Sequence, residues 1–237
     1  MEYRTIRLAP KGPETEPSPV LTEGVELTQE ECRALGCLVE KAITTPDYYP
    51  LTLNSLVAAC NQKSSRDPVV SYADSDVMTA IDGLKEKQLA TRITSSDSRV
   101  PRFRHIMPDA LRLNQPQLAT MAVLMLRGAQ TVGEIRGRTG RMYEFDSLQE
   151  VEETLQELAQ RDPRPLVVQL PRRPGEKEAR WAHLLCGEPE VDMTESPEAV
   201  SVSRGSSRME ELEGRVAALE EELATLREEF RKFREQF

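Results

Sequence analysis

The chain has 237 residues, 38% of them hydrophobic and 30% charged, with a net charge of −9. That composition suits small cores with solvated segments, and no apolar run approaches the ~20 residues of a membrane span. Residues 188–237 carry 14 acidic and 7 basic groups while residues 114–187 carry 10 of each, so the acidity belongs to the tail and the neutral middle does not exclude nucleic acid.

The N-terminus, MEYRTIRLAPKGPETEPSPV, has no apolar signal core and reads as cytoplasmic. Residues 1–24 are rich in Pro and Glu and show no period, which predicts a disordered arm. A first domain is expected over residues 25–111. Thr28 with Glu31 forms a capping box, Leu27 can staple onto Cys32, and Leu35, Leu38, Val39 and Ala42 share one helical face. TLNSLVAACNQ predicts a second helix capped by Thr52, with Leu53, Leu56, Val57 and Cys60 as its apolar stripe. DSDVMTAIDGLKEKQLA predicts a third, capped by Asp74, with Val77, Ile81 and Leu84 inward. LATRIT and VPRFRHI flank the polar turn SSDSR as a β-hairpin.

The order then repeats over residues 112–187. NQPQLATMAVLMLR is a helix with Pro116 in its first turn and Gly128 past its end. TVGEIRGRT is a short second helix. SLQEVEETLQELAQ is a third, with a Ser147/Glu150 capping box and Leu148, Val151, Leu155 and Leu158 inward. LVVQL and RWAHLL form another hairpin around PRRPGEKEA. Three helices and a hairpin, twice, is the order of tandem winged helix-turn-helix domains. The expected class is therefore mainly α with small β-hairpins, plus a C-terminal coiled-coil helix.

Residues 188–206 read as a polar linker and residues 207–237 as the coiled coil. Leu212, Val216, Leu219, Leu223, Leu226, Phe230 and Phe233 alternate spacings of 3 and 4, the a/d pattern of heptads. In a parallel homodimer Arg208–Glu213, Arg215–Glu220, Glu222–Arg227 and Glu229–Arg234 pair across the seam. An antiparallel pairing sets Arg208 near Glu229 and Glu213 near Arg234, so orientation stays open. The other arrangement is one amphipathic helix lying on its own domains.

Four cysteines, Cys32, Cys37, Cys60 and Cys186, make no CxxC pair, and His105 and His183 lie far apart in sequence. Zinc asks for four clustered ligands, so no metal site is expected, and reduced cysteines serve as small hydrophobes. No nucleophile sits in a recognisable catalytic motif, so no enzyme or cofactor is expected. TTPDYYPL, residues 44–51, is a ligand-pocket wall or a rigid connector whose tyrosines pack on the first domain.

RGAQTVGEIRGRTGRMYEF, residues 127–145, has neither the Gly-Lys-Ser/Thr of a P-loop nor a G-x-G-x-x-G after a strand. Thr131 with Glu134 is a capping box. Gly133, Gly137 and Gly140 share one face of a short helix, where missing side chains let a neighbouring helix come close. Arg127, Arg136, Arg138 and Arg141 remain for solvent, ion pairs with Glu134, Glu144 and Asp146, or phosphate.

CLVEKAITTPDYYPLTLNSLVAACNQKSSRDPV, RGAQTVGEIRGRTGRMYEF and LPRRPGEKEARWAHLL resemble the YceH-like family of bacterial proteins over about residues 26–187. The resemblance implies two winged-helix domains and no established biochemical activity. The N-terminal arm is longer here than is usual in that family, and nothing is carried over to it.

For nucleic acid, the third helix of each repeat is the expected groove reader, but Glu150, Glu152, Glu153 and Glu157 make a duplex repel the second, and residues 74–87, with Asp74, Asp76, Asp82 and Glu86 against Lys85 and Lys87, are no better than neutral. Cations gather instead on the hairpins: Arg92, Arg99, Arg102 and Arg104 on the first, Arg172, Arg173, Lys177 and Arg180 on the second. Contact with double-stranded DNA through these wings requires the guanidiniums to share a side and stay out of ion pairs. His105 and His183 are expected to pack on Phe103 and Trp181. A protein–protein adaptor that keeps the winged-helix shape without a DNA surface is the alternative.

Overall fold

The computed structural model describes residues 26–189, apart from 96–97, 173–174 and the side chains of 95, 98 and 99. The expected arm, linker and coiled coil, with Leu212, Val216, Leu219, Leu223, Leu226, Phe230 and Phe233, lie outside the described residues. Among those described, seven helices and five short strands form a mainly helical chain with small antiparallel sheets. None of these helices is long and apolar enough to cross a membrane.

Local side-chain chemistry starts the helices. Thr28 accepts from Glu31 N at 3.2 Å and Glu31 Oε2 accepts from Thr28 N at 2.8 Å, which opens α1 (Gln29–Thr44). A short 3-10 turn (Pro46–Tyr48) and strand β1 (Leu51–Thr52) lead into α2 (Leu53–Cys60), capped by Thr52. The next helix, α3 (Asp74–Glu86), corrects one expectation. Asp74 is its first helical residue, and Asp76 reaches back to accept from Ala73 N at 2.8 Å. Strands β2 (Ala90–Ser95) and β3 (Ser98–His105) form the first hairpin, and a five-residue helix, α4 (Met107–Leu111), follows.

A second run of three helices and two antiparallel strands comes next. Asn114 caps α5 (Gln115–Arg127), which stops at Gly128 with its φ of 69°. The Thr131/Glu134 capping box opens α6 (Val132–Thr139). Ser147 caps α7 (Leu148–Ala159) by accepting from Glu150 N, but the expected reciprocal bond is absent. Glu150 instead accepts from Asp146 N at 2.8 Å and from the Tyr143 hydroxyl at 2.7 Å. Leu148, expected inward, is 48% exposed because it stands in the first turn, ahead of the buried stripe Val151, Leu155 and Leu158. Strands β4 (Val167–Gln169) and β5 (Trp181–His183) form the second hairpin.

One hydrophobic cluster runs through both runs of helices. Its centre is the contact of α1 with α5. A Cβ on Gly36 would stand 3.0 Å from Leu126 and 3.2 Å from the Met125 Cβ, so the two backbones meet where Gly36 has no side chain. A Cβ on Gly83 would collide with the Glu31 carboxylate, which α3 approaches to place Lys87 on Glu31. The helix-packing role expected of Gly133, Gly137 and Gly140 is therefore corrected. All three are exposed, and a Cβ on Gly137 or Gly140 would meet nothing within 4 Å. Leu27 N donates to Leu185 O at 2.7 Å, so the start of α1 is tied to the segment after β5.

Candidate functional site

The first hairpin forms a sheet in the order β1-β3-β2. Its register sets Leu51 and Arg92 opposite Phe103, and Thr52 and Ile93 opposite Arg102. Opposed residues share a face and successive residues alternate. Phe103 is buried and marks the core face, so Arg102 and Arg104, both exposed, stand together on the other. Arg92 is exposed too, but its pairing with Phe103 assigns it to the opposite face. The four arginines expected together are thus divided by strand parity, and the Arg99 side chain lies outside the described residues.

The Arg102–Arg104 face adjoins the start of α2. Arg102 Nη1 donates to Pro50 O at 2.9 Å, and Thr52, which caps α2 by accepting from Ser55 N, is directly opposite Arg102. The end of β3 is fixed by His105 N donating to the Tyr49 hydroxyl at 2.7 Å. The His105 ring packs on Tyr49, centroids 6.0 Å apart. Burial, and after it the neighbouring Arg104 charge, lowers the His105 pKa to about 4. In TTPDYYPL, therefore, Tyr49 packs on the first hairpin while Tyr48 is 76% exposed.

The second hairpin offers less. Arg180 Nη1 donates to Glu134 Oε2 at 2.8 Å and to Ala129 O at 3.2 Å, which ties the ribbon to the start of α6. Arg172 is exposed, and Arg173 lies outside the described residues. Residues 175–177 fall in a second compact unit; within it Lys177 is exposed.

The third helices turn carboxylates outward. Asp74, Asp76, Asp82 and Glu86 are exposed on α3, as are Glu152 and Glu153 on α7. Lys85 offsets Asp82 on that α3 face, at 2.8 Å.

In the Arg/Gly stretch, Arg136 donates to the carbonyls of Phe145 and Asp146, so its expected carboxylate partners give way to backbone. Arg138 stands 3.5 Å from Glu134. Arg127, Arg138 and Arg141 line a common cleft with Lys41, which sequence distance concealed.

A family model described as "Protein of unknown function, DUF480" matches residues 27–176. The chain belongs to this family. It is 52% identical over 196 residues to a UPF0502 protein of Geobacter sulfurreducens, covering 81% of this chain and 89% of that one. Against a UPF0502 protein of Geotalea uraniireducens it is 52% identical over 198 residues, covering 81% and 90%. A UPF0502 protein of Vibrio atlanticus is 46% identical over 198 residues, covering 81% and 91%. The YceH-like resemblance agrees with this membership.

The cysteines and histidines also depart from expectation. The fold brings Cys32, His183 and Cys186 together, one potential ligand atom from each within 4.8 Å of the others. The two Sγ atoms are 2.7 Å apart. Burial pulls the His183 pKa down to about 4, so the imidazole is neutral near pH 7. The sequence separation of His183 from Cys32 gave no hint of this, because the contact depends on the Leu27–Leu185 closure. Three donors are one fewer than a closed tetrahedral site uses.

Proposed function

We propose that this DUF480 protein is a non-enzymatic, tandem winged-helix regulatory protein that associates with duplex DNA through the phosphate backbone. The observation that carries the reading is the pair Arg102 and Arg104, exposed on one face of β3 beside the capped start of α2. A guanidinium pair next to a helix N-terminus, with its partial positive charge, suits phosphate oxygens. Two runs of three helices and a hairpin support the winged-helix assignment.

The reading is narrower than two wings forming one platform. Arg92 faces the other way and Arg180 is held by Glu134, so the first ribbon supplies the contact. The exposed carboxylates of α3 and α7 oppose entry into a major groove, so the reading is of sequence-independent backbone contact. Association of two chains through the C-terminal heptads would present two such ribbons. Fluorescence anisotropy of a labelled duplex at low salt tests the proposal. Binding that is lost in Arg102→Glu with Arg104→Glu supports it.

The same carboxylates favour a second reading, a protein–protein adaptor whose acidic helix faces meet a basic partner. No duplex binding at low salt, together with a direct complex weakened by Asp82→Asn and Glu86→Gln, would select that reading.

A further inference from the structure

A cleft of about 190 Å³ lies where the end of α1, the loop from α2 to α3, the end of α5 and the exit of α6 converge. Four cationic side chains line it: Lys41, Arg127, Arg138 and Arg141. The one acidic lining residue, Glu40, is already engaged. Arg66 Nη1 donates to Glu40 Oε1 at 3.1 Å and Arg66 Nη2 to Oε2 at 2.6 Å, a bidentate pair, and Lys41 lies 3.4 Å from the same carboxylate. Among the described residues, no hydrogen bond or ion pair engages the guanidinium of Arg127 or Arg141, and that of Arg138 has only its 3.5 Å contact with Glu134. Burial, followed by the positive charges of Arg138 and Arg66, lowers the pKa of Arg127. Lys41 shares Glu40 with Arg66 and also donates to Gln62 Oε1 at 3.4 Å, so the cleft lining holds four cations against one shared carboxylate.

The walls are held in place independently of any ligand. The Arg66 guanidinium, fully buried, also donates to the carbonyls of Ala59 and Ser65 and to Gln62 Oε1. Asp67 N donates to Leu126 O at 2.9 Å, and Asn61 bridges to Tyr72 through both its amide atoms. These bonds hold the loop that brings Ser64 and Ser65, whose hydroxyls are uncharged donors, into the cleft lining. A smaller cavity, about 110 Å³ beside Arg112 and Arg161, lacks this character because Arg161 is spent on the carbonyls of Leu111 and Arg112.

We propose that this cleft binds a small phosphate-bearing anion, with Arg127, Arg138, Arg141 and Lys41 as its charged ligands and the Ser64–Ser65 loop as a neutral wall. Guanidiniums match phosphate oxygens in geometry as well as charge. The volume is below the range of drug-sized pockets, which favours one or two phosphoryl groups over a large ligand. The exposed Gly137 and Gly140 flank Arg138 and leave its approach unobstructed. Because the lining comes from both runs of helices, a bound anion would tie α1 and its loop to α5 and α6. The cleft lining includes neither Arg102 nor Arg104, and the assignment does not rest on contact with DNA.

Isothermal titration calorimetry of the full chain with inorganic pyrophosphate, inorganic phosphate and citrate, at matched ionic strength, tests the assignment. One saturable site per chain for pyrophosphate or phosphate is expected. Arg141→Ala, an exposed position, and Arg127→Ala should each weaken it by about tenfold or more. The melting temperature without anion should hold in Arg141→Ala, and Arg102→Glu should bind as the wild type does. No saturable binding, unchanged affinity in both alanine variants, or citrate binding as tightly as pyrophosphate would each overturn the proposal.

Discussion

The Arg180 guanidinium lies 2.8 Å from the Glu134 carboxylate, joining the second hairpin to the first turn of α6. Glu134 also accepts from Thr131 N to close its capping box and stands near Arg138, so one carboxylate serves three neighbours. A ribbon cation held this way is spent on the fold. Both partners are about 30% exposed, which limits the pair to roughly 0–1 kcal/mol. Arg180→Ala, which also gives up the bond to Ala129 O, is expected to lower unfolding stability by about 1–2 kcal/mol in urea titration and to leave duplex affinity unchanged. A large loss of affinity in this variant would return the second hairpin to the interface.

Glycine substitutions separate close helix packing from open surface. Gly36→Ala places a Cβ 3.0 Å from Leu126, inside the α1–α5 contact, and should cost roughly 1–3 kcal/mol. Gly137→Ala meets no neighbour and sits in the interior of α6, so it should stabilise by up to ~1 kcal/mol through helix propensity. Chemical denaturation of the two variants checks both signs. Equal destabilisation by the two would contradict this account of the packing.

The Glu40–Arg66 pair gives a stability test with a defined pH window. Burial pushes the Glu40 carboxyl up, but Arg66 and then Lys41 outweigh it and leave its pKa below the usual 4.5. A depressed carboxyl pKa means stability that is full above the unfolded value and lost as pH falls from about 4.5 through the folded value. Arg66→Ala leaves Glu40 without its buried partner and should cost about 3–5 kcal/mol at neutral pH. Glu40→Gln should flatten the acid limb of stability against pH. Urea titrations across that range measure both effects, and an unchanged acid limb would count against the pairing.

What was legible in the sequence was local. Capping boxes at Thr28 and Thr131 act over three residues, and the hairpins follow from alternation between polar turns, so their elements stand where expected. Short or context-dependent features were missed. The two-residue β1 exists only by pairing with β3, and α4 is a single turn built around Pro108. The division of Arg92 from Arg102 required the register, which the irregularity between Ile93 and Ser95 makes unreadable from the turn alone. The cationic cleft and the Cys32–His183–Cys186 group draw on residues far apart in the chain, so spacing held no signal for either. Gly36 carries a signal, a glycine amid the apolar residues of a helix, whereas the more conspicuous Gly133, Gly137 and Gly140 stand on open surface.

The salt dependence of duplex binding, measured by anisotropy for the full chain and for Arg102→Ala with Arg104→Ala, addresses the backbone-contact reading most directly. Each phosphate neutralised contributes a slope of about −0.9 in log K against log salt, so losing two contacts should make the slope shallower by about 1.8 for any duplex sequence. An affinity and slope identical to those of the wild type, or no duplex binding by the wild type at low salt, would contradict it.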